Sequence, residues 1–173
     1  MLKKMLPRLR VNSIYDIDLA FLEKTGIRGI ITDLDNTLVG AKVTAPTPEW
    51  VEWLNEVKER GFQIVIVSNN NYERVSAFAE PIQMPFIHKA KKPVGIAFRN
   101  AMAAMGLDAN EIAVIGDQML TDVLGGNRLG MYTILVKPIA IEDEKLTTKL
   151  NRRVEKWVLR TLKKKGLYRE EEI

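Results

Sequence analysis

The stretch FQIVIVSNN, residues 62–70, sets a six-residue apolar run against three polar residues. Side chains of a strand alternate between its two faces. This run is apolar on both faces apart from Gln63, and it is rich in β-branched residues. A strand that is apolar on both faces must be covered on both, as a central strand of a parallel sheet is. Ser68, Asn69 and Asn70 then stand at its carboxyl end, where such sheets hold their ligands.

Working outward, the same punctuation repeats. Residues Pro48 to Arg60 read as a helix, with proline in the first turn and Gly61 just past the end. Trp50, Trp53, Leu54 and Val57 sit on it at helical spacing and read as core. Ile27–Thr32 reads as a buried strand before it. After residue 70 come a helix at 72–80 stopped by Pro81, a short strand at 86–88, and a helix at 94–105 closed by Gly106. A strand at 111–115, a short helix at 122–129, a strand at 131–136 and a long helix at 145–165 follow. This alternation predicts an α/β fold: a three-layer, Rossmann-like parallel sheet of about five strands with helices on both faces. At 173 residues the chain is expected to be one domain, 1–173, with its core over about 27–136.

Composition narrows the chemistry. There is no cysteine, which excludes a disulfide scaffold, a thiolate metal site and a cysteine nucleophile. No apolar run approaches the ~20 residues that span a bilayer. The opening MLKKMLPRLR is basic but no continuous apolar segment follows it, so it is not read as a secretory signal, and the cytoplasm is expected. The net charge of +4 is unevenly spread. Residues 1–10 and 145–165 hold 13 of the 26 Lys/Arg and only one acid, Glu155, of the 22 Asp/Glu. A basic N-terminal segment (1–20) and a basic C-terminal helix suggest an anionic partner: a peripheral contact with the inner face of an anionic membrane, or, as the lesser expectation, nucleic acid. Leu146, Leu150, Val154 and Trp157/Val158 give that helix an apolar stripe, which is expected to pack on the sheet, with a membrane contact as the lesser reading.

The polar residues that follow the strands form one set: Asp33 and Asp35, then Ser68, Asn69 and Asn70, then Lys89, Lys91 and Lys92, then Asp117 and Asp122. In a parallel sheet all four groups meet at one edge. Clustered carboxylates repel unless a cation neutralises them, and oxygen ligands without His or Cys favour Mg2+. A hydroxyl, backbone N–H groups and a lysine hold a phosphoryl group, and a carboxylate can be its covalent acceptor. The rivals fail on spacing. An EF-hand loop begun at Asp33 would need glycine at 38 and glutamate at 44, where Leu and Thr stand. No GxxxxGK[ST] is present, and GGNRLG (125–130) does not directly follow a strand. A response-regulator receiver orders its acids, hydroxyl and lysine differently along the chain.

The ordered set DLDNT (33–37), VSNN (67–70), KKP (91–93) and GDQMLTD (116–122) resembles the four motifs of the haloacid dehalogenase (HAD) superfamily, in the manner of its capless class IIIA phosphatases. DLDNTL and GDQMLTDVLGGNRLG look most like a bacterial branch related to mitochondrial phosphatidylglycerophosphate phosphatases. The resemblance implies a Mg2+-dependent phosphoric monoester hydrolase working through an aspartyl-phosphate. Asp33 would be the nucleophile and Asp35 the general acid and then base, a residue that the dehalogenase branch lacks. Ser68 and Lys92 would complete the catalytic set and hold the phosphoryl group, with Thr37 and Asn69 beside them on the substrate. Asp33, Asp117 and the Asp35 main-chain carbonyl would hold the metal, and Asp122 would support them or touch the metal directly. The two acids of the last motif stand one residue further apart than the family's usual GDxxxD. His88, the only histidine, is expected at a structural or rim position.

Many relatives carry a lid domain after the first or second motif. Here 14 residues separate Asp35 from Trp50 and 23 separate Ser68 from Lys92, both taken up by the fold's own helices, so no cap domain is expected. An uncovered site suits a phosphate carried on a large body or a membrane, phosphatidylglycerophosphate among them. The other class of reading is a phosphate-binding or scaffold module with little hydrolysis, acting on nucleic acid or a protein through the basic ends. Asp35 argues against it, since binding alone needs no proton donor.

Overall fold

In the computed structural model, which describes residues 2–143, 146–164 and 166, each apolar run becomes a strand and one further strand joins them. In chain order the elements are β1 (Leu9–Val11), α1 (Leu19–Lys24), β2 (Gly29–Thr32), α2 (Pro48–Glu59), β3 (Gln63–Val67), α3 (Tyr72–Ala79), β4 (Phe86–Ile87), α4 (Ile96–Met105), β5 (Ile112–Gly116), α5 (Leu124–Leu129), β6 (Tyr132–Val136) and α6 (Leu146–Lys164). The strand order is β1-β6-β5-β2-β3-β4, and every pairing is parallel. The long C-terminal helix is seen over 146–164; positions 145 and 165 lie outside the described residues.

The sheet therefore has six strands rather than about five. The addition, β1, is three half-buried residues in the basic N-terminal segment, paired with β6 at the sheet's edge. Three residues with Arg10 at their centre and Arg8 before them leave no apolar run to read. The six-residue α1 was also not foreseen; Asp18 caps it by accepting from the Phe21 N–H at 2.8 Å.

One face of the sheet packs against Leu22, Trp50, Trp53, Val57, Val75 and Phe78 from α1, α2 and α3. The other packs against Ala97, Phe98, Ala101 and Met105 of α4. A third cluster joins Met5 of the N-terminal segment to Met119, Leu124, and Val158 and Leu162 of α6, so the two basic ends of the chain lie side by side. The chain order reverses between β2 and β5, and the ladder sets Thr32 against both Ile66 and Ile115. Asp33, Ser68 and Asp117 thus leave three adjacent strands at one edge, the position where open α/β sheets bind ligands.

Candidate active site

The turn after β2 places the first two acids. The Asp33 N–H donates to the Ile115 carbonyl at 2.9 Å, which carries the ladder one residue beyond the strand. The chain then closes on itself, with the Leu38 N–H on the Leu34 carbonyl at 3.0 Å and the Asn36 N–H on Val39 at 2.7 Å. Asn36 is left-handed (φ 66°), a conformation asparagine tolerates. Leu34, Leu38 and Val39 are buried in the core, which leaves the carboxylates at 33 and 35 to the cleft.

Lys92 is the hub. Its ammonium lies 2.8 Å from Asp33 Oδ1 and 2.7 Å from Asp122 Oδ1, and donates to the Val67 carbonyl at 2.7 Å. The ammonium bonds to Asp33 and Val67 and is paired in charge with Asp122. The side chain is almost fully enclosed. Asn69 fixes the lysine's backbone: its amide oxygen accepts from the Lys92 N–H at 2.7 Å and its NH2 donates to the Lys92 carbonyl at 3.3 Å. Asn69, expected on the substrate, therefore serves Lys92 as well as lining the cleft. Ser68 is buried, lines the cleft and accepts from the Asn70 N–H at 3.2 Å.

The one-residue excess between Asp117 and Asp122 has a structural form. Residues Met119–Val123 wind as a single wide, π-type turn, the usual way a helix absorbs one extra residue. That turn brings Asp122 back over Gly116, where a methyl group would collide with the Asp122 carboxylate. Asp122 Oδ2 accepts from Thr121 Oγ1 at 3.0 Å and from the Gln118 N–H at 3.3 Å. Oxygens of Asp33, Asp117 and Asp122, all buried, lie within 4.8 Å of one another. Asp122 thus stands in the acidic group itself.

The carboxylate of Asp35 lies outside that group. Arg74 Nε donates to Asp35 Oδ1 at 2.9 Å, and Asn70 Nδ2 donates to Oδ2 at 2.9 Å. Any part it has in metal binding falls to its main-chain carbonyl. Thr37 is corrected more fully: it is buried, does not line the cleft, and donates to Asp117 Oδ1 at 3.4 Å. Its place is behind a carboxylate rather than on a substrate. His88 meets Tyr72 edge-on, 5.4 Å between ring centroids, and does not line the cleft.

Three contributors, Arg74, Arg152 and Glu155, are not among the expected site residues, and Asn70, expected at this edge, takes a specific part. Arg74 and Asn70 position Asp35. From α6, Arg152 bonds Asp117 Oδ2 with one nitrogen and the Asp117 carbonyl with another, at 3.0 Å for the latter. Glu155 stands 3.8 Å from Arg152 and accepts from the Leu120 N–H at 3.0 Å. The one usable signal was Glu155, a lone acid among nine bases between 145 and 165.

Burial sets the electrostatics. It pushes Asp33 up to about 7, against the pull of Lys92 and with the charges of Asp122 and Asp117 adding to it. Asp117 rises likewise to about 7 through burial and Asp122, opposed by Arg152. For Lys92 burial alone would favour the neutral amine, but Asp122 and Asp33 outweigh it and raise its pKa. Three carboxylates against Lys92 and Arg152 leave one formal negative charge, which a divalent cation would reverse. The donors are all hard oxygens, a set that fits Mg2+. The cleft beside them, about 540 Å³, is edged by Asn70, Lys42, Gln118, Thr121, Thr148 and Asn151.

A family model described as mitochondrial PGP phosphatase matches residues 2–140. The chain belongs to that family, within the HAD superfamily. A probable phosphatase of Bacillus subtilis, YqeG, is 50% identical over 99% of this chain and 100% of its own. A phosphatidylglycerophosphate phosphatase 1 of Arabidopsis thaliana is 28% identical over 94% of this chain, which spans 49% of that longer protein. Among solved structures, the cobalt-bound deoxy-D-mannose-octulosonate 8-phosphate phosphatase of Haemophilus influenzae superposes with a TM-score of 0.53, covering 79% of this chain and 89% of its own at 15% identity. That likeness establishes the HAD-type fold. As a HAD-family phosphatase, the chain is a phosphoric monoester hydrolase. Helix α6 lies beyond the segment that the family model matches, yet it supplies Arg152 to Asp117.

Proposed function

We propose that this HAD-family phosphatase is a Mg2+-dependent hydrolase of a membrane-presented phosphomonoester, of the phosphatidylglycerophosphate type, acting through an aspartyl-phosphate on Asp33. The observation that carries the reading is the buried Lys92 bridging Asp33 and Asp122 beside Asp117, next to an open polar cleft. Asp33 attacks phosphorus, and Lys92 aims that carboxylate and offsets part of the rise in its pKa that burial causes. Asp35 gives a proton to the departing alkoxide, then takes one from the water that attacks the phosphorus of the aspartyl-phosphate. Ser68 holds a phosphoryl oxygen. Asn69 keeps Lys92 in place, and a direct bond from Lys92 to substrate would exchange one of its three present partners. Mg2+ held by Asp33, Asp117 and the Asp35 carbonyl, with Asp122 within reach, would neutralise the charge gathered on the phosphoryl oxygens.

The lipid substrate rests on the family and on the Arabidopsis relative, together with the absence of a lid among the described residues and an amide- and hydroxyl-edged cleft suited to a polyol. A cytoplasmic enzyme meeting the inner membrane face fits that substrate; no helix among the described residues is long and apolar enough to cross a membrane. The test is phosphate release from phosphatidylglycerophosphate in mixed micelles, compared with soluble sugar phosphates, with Mg2+ and with a chelator. Release that needs Mg2+ and favours the lipid supports the proposal. Turnover of soluble esters alone would overturn the lipid assignment, and chelator-insensitive turnover would overturn the metal.

A further inference from the structure

We propose that α6 is an interfacial helix that lays Leu150, Val154 and Trp157 into the headgroup boundary of an anionic phospholipid bilayer, beside the mouth of the active-site cleft. The proposal deepens the lipid-phosphate reading and names the surface that would serve it. Of the stripe expected to pack on the sheet, Val158 packs inward and Leu150, Val154 and Trp157 do not. Leu150 is 60%, Val154 40% and Trp157 62% exposed, while the face turned to the body is Arg152, Glu155, Val158 and Leu162. Positions 150, 154 and 157 stack along one side of a helix. Three large apolar side chains left in water in one row mark a contact surface.

Charge selects the occupant. Lys149, Arg153, Lys156, Arg160, Lys163 and Lys164 are exposed along α6, and its one described acid, Glu155, is buried. By helical rotation these bases run down one flank of the apolar row. Lys3 and Lys4, also exposed, join them through the cluster that packs Met5 on Val158 and Leu162. An apolar row with a basic flank is the pattern of helices that lie in anionic interfaces. A second copy of the chain fits less well, because antiparallel pairing of two such rows would set basic flank against basic flank.

Placement agrees. Thr148 and Asn151 of α6 line one side of the cleft, and Ala41 and Lys42 line another. Exposed apolar residues neighbour the lining ones along the chain: Leu150 beside Asn151, and Val43 beside Lys42, with Ile139 and Ile141 on either side of Ala140. Gly40 and Ala140 bring the loops of Val43 and Ile139 together. A phosphate standing at headgroup level would meet the cleft between them.

The experiment is co-sedimentation of the full chain with phosphatidylcholine vesicles, with and without phosphatidylglycerol, neither containing a phosphomonoester. Wild type is expected to bind the anionic vesicles, to release with salt, and to ignore neutral ones. The triple variant L150S/V154S/W157S is expected to bind at least about tenfold more weakly. Its circular dichroism and its turnover of a soluble aryl phosphate should match wild type, since none of the three touches the site. Vesicle binding unchanged in the variant, no binding by wild type, or a wild-type dimer that the variant dissolves would each overturn the proposal. Docking without hydrolysis of phosphatidylglycerophosphate would refute the substrate alone. Hydrolysis in micelles without docking would refute the helix's role alone.

Discussion

At Asp35 and at Asp117 the protein uses the same device, an arginine laid on a carboxylate, with different consequences. Arg152 takes Oδ2 and the carbonyl of Asp117, Thr37 bonds Oδ1, and the carboxylate belongs to the group shared with Asp33 and Asp122. A partner that orients a ligating carboxylate contributes about 10- to 100-fold to metal affinity. Arg152→Gln is therefore expected to raise the Mg2+ concentration needed for half-maximal activity by about that factor, with kcat at saturating Mg2+ little changed. Arg74 instead holds Asp35, the group proposed to transfer the proton. Arg74→Ala is expected to lower kcat by about tenfold or more at saturating Mg2+, because a misplaced catalytic group is costly, while the metal requirement stays put. Metal titrations of turnover for the two variants check both, and the same response from both would contradict the division. Neither arginine was legible beforehand. Each lies on a helix, in no motif, and only the packing of α3 and α6 shows what it touches.

Among the elements, the strands and their polar ends were the legible part, because apolar runs and Gly/Pro punctuation report burial directly. FQIVIV lies inside the sheet, as β3 between β2 and the short edge strand β4, one position off the centre expected of it. The misjudged element was α6. Periodicity revealed an amphipathic helix but not which flank met the body: the charged Arg152 and Glu155 turn inward, while Leu150 and Trp157 face water. The π-type turn at 119–123 was foreshadowed only as an odd spacing. It makes a specific prediction. Gly116→Ala places a methyl group against Asp122, and overpacking of this kind costs about 1–3 kcal/mol. The variant should melt lower and lose activity, since Asp122 cannot move without leaving Lys92. A variant with wild-type melting and turnover would contradict the packing described.

At the scale of the whole molecule, the buried acids tie stability to pH and metal. Asp33 and Asp117 bind protons more tightly folded than unfolded between their ordinary pKa, 3.8, and about 7. Metal-free protein therefore loses this contribution as pH rises through that window. A divalent cation that binds the ionised carboxylates offsets the loss. The gain in Tm on adding Mg2+ is expected to be small near about pH 5 and to grow toward about pH 8. Calorimetry with Mg2+ and with a chelator at both pH values checks it, and a gain larger in acid would contradict the sign. The carboxylate cluster was legible in composition and order alone, whereas its depth of burial, which makes the pH dependence, required the fold.

Asp33 is the group proposed to bond to phosphorus. The most direct measurement of that role is kcat for a soluble aryl phosphate with Asp33→Asn, a change that keeps shape and removes the nucleophile. A fall of about 10³-fold or more is expected, with an unaltered circular dichroism spectrum. A folded Asp33→Asn protein turning over at the wild-type rate would contradict that role.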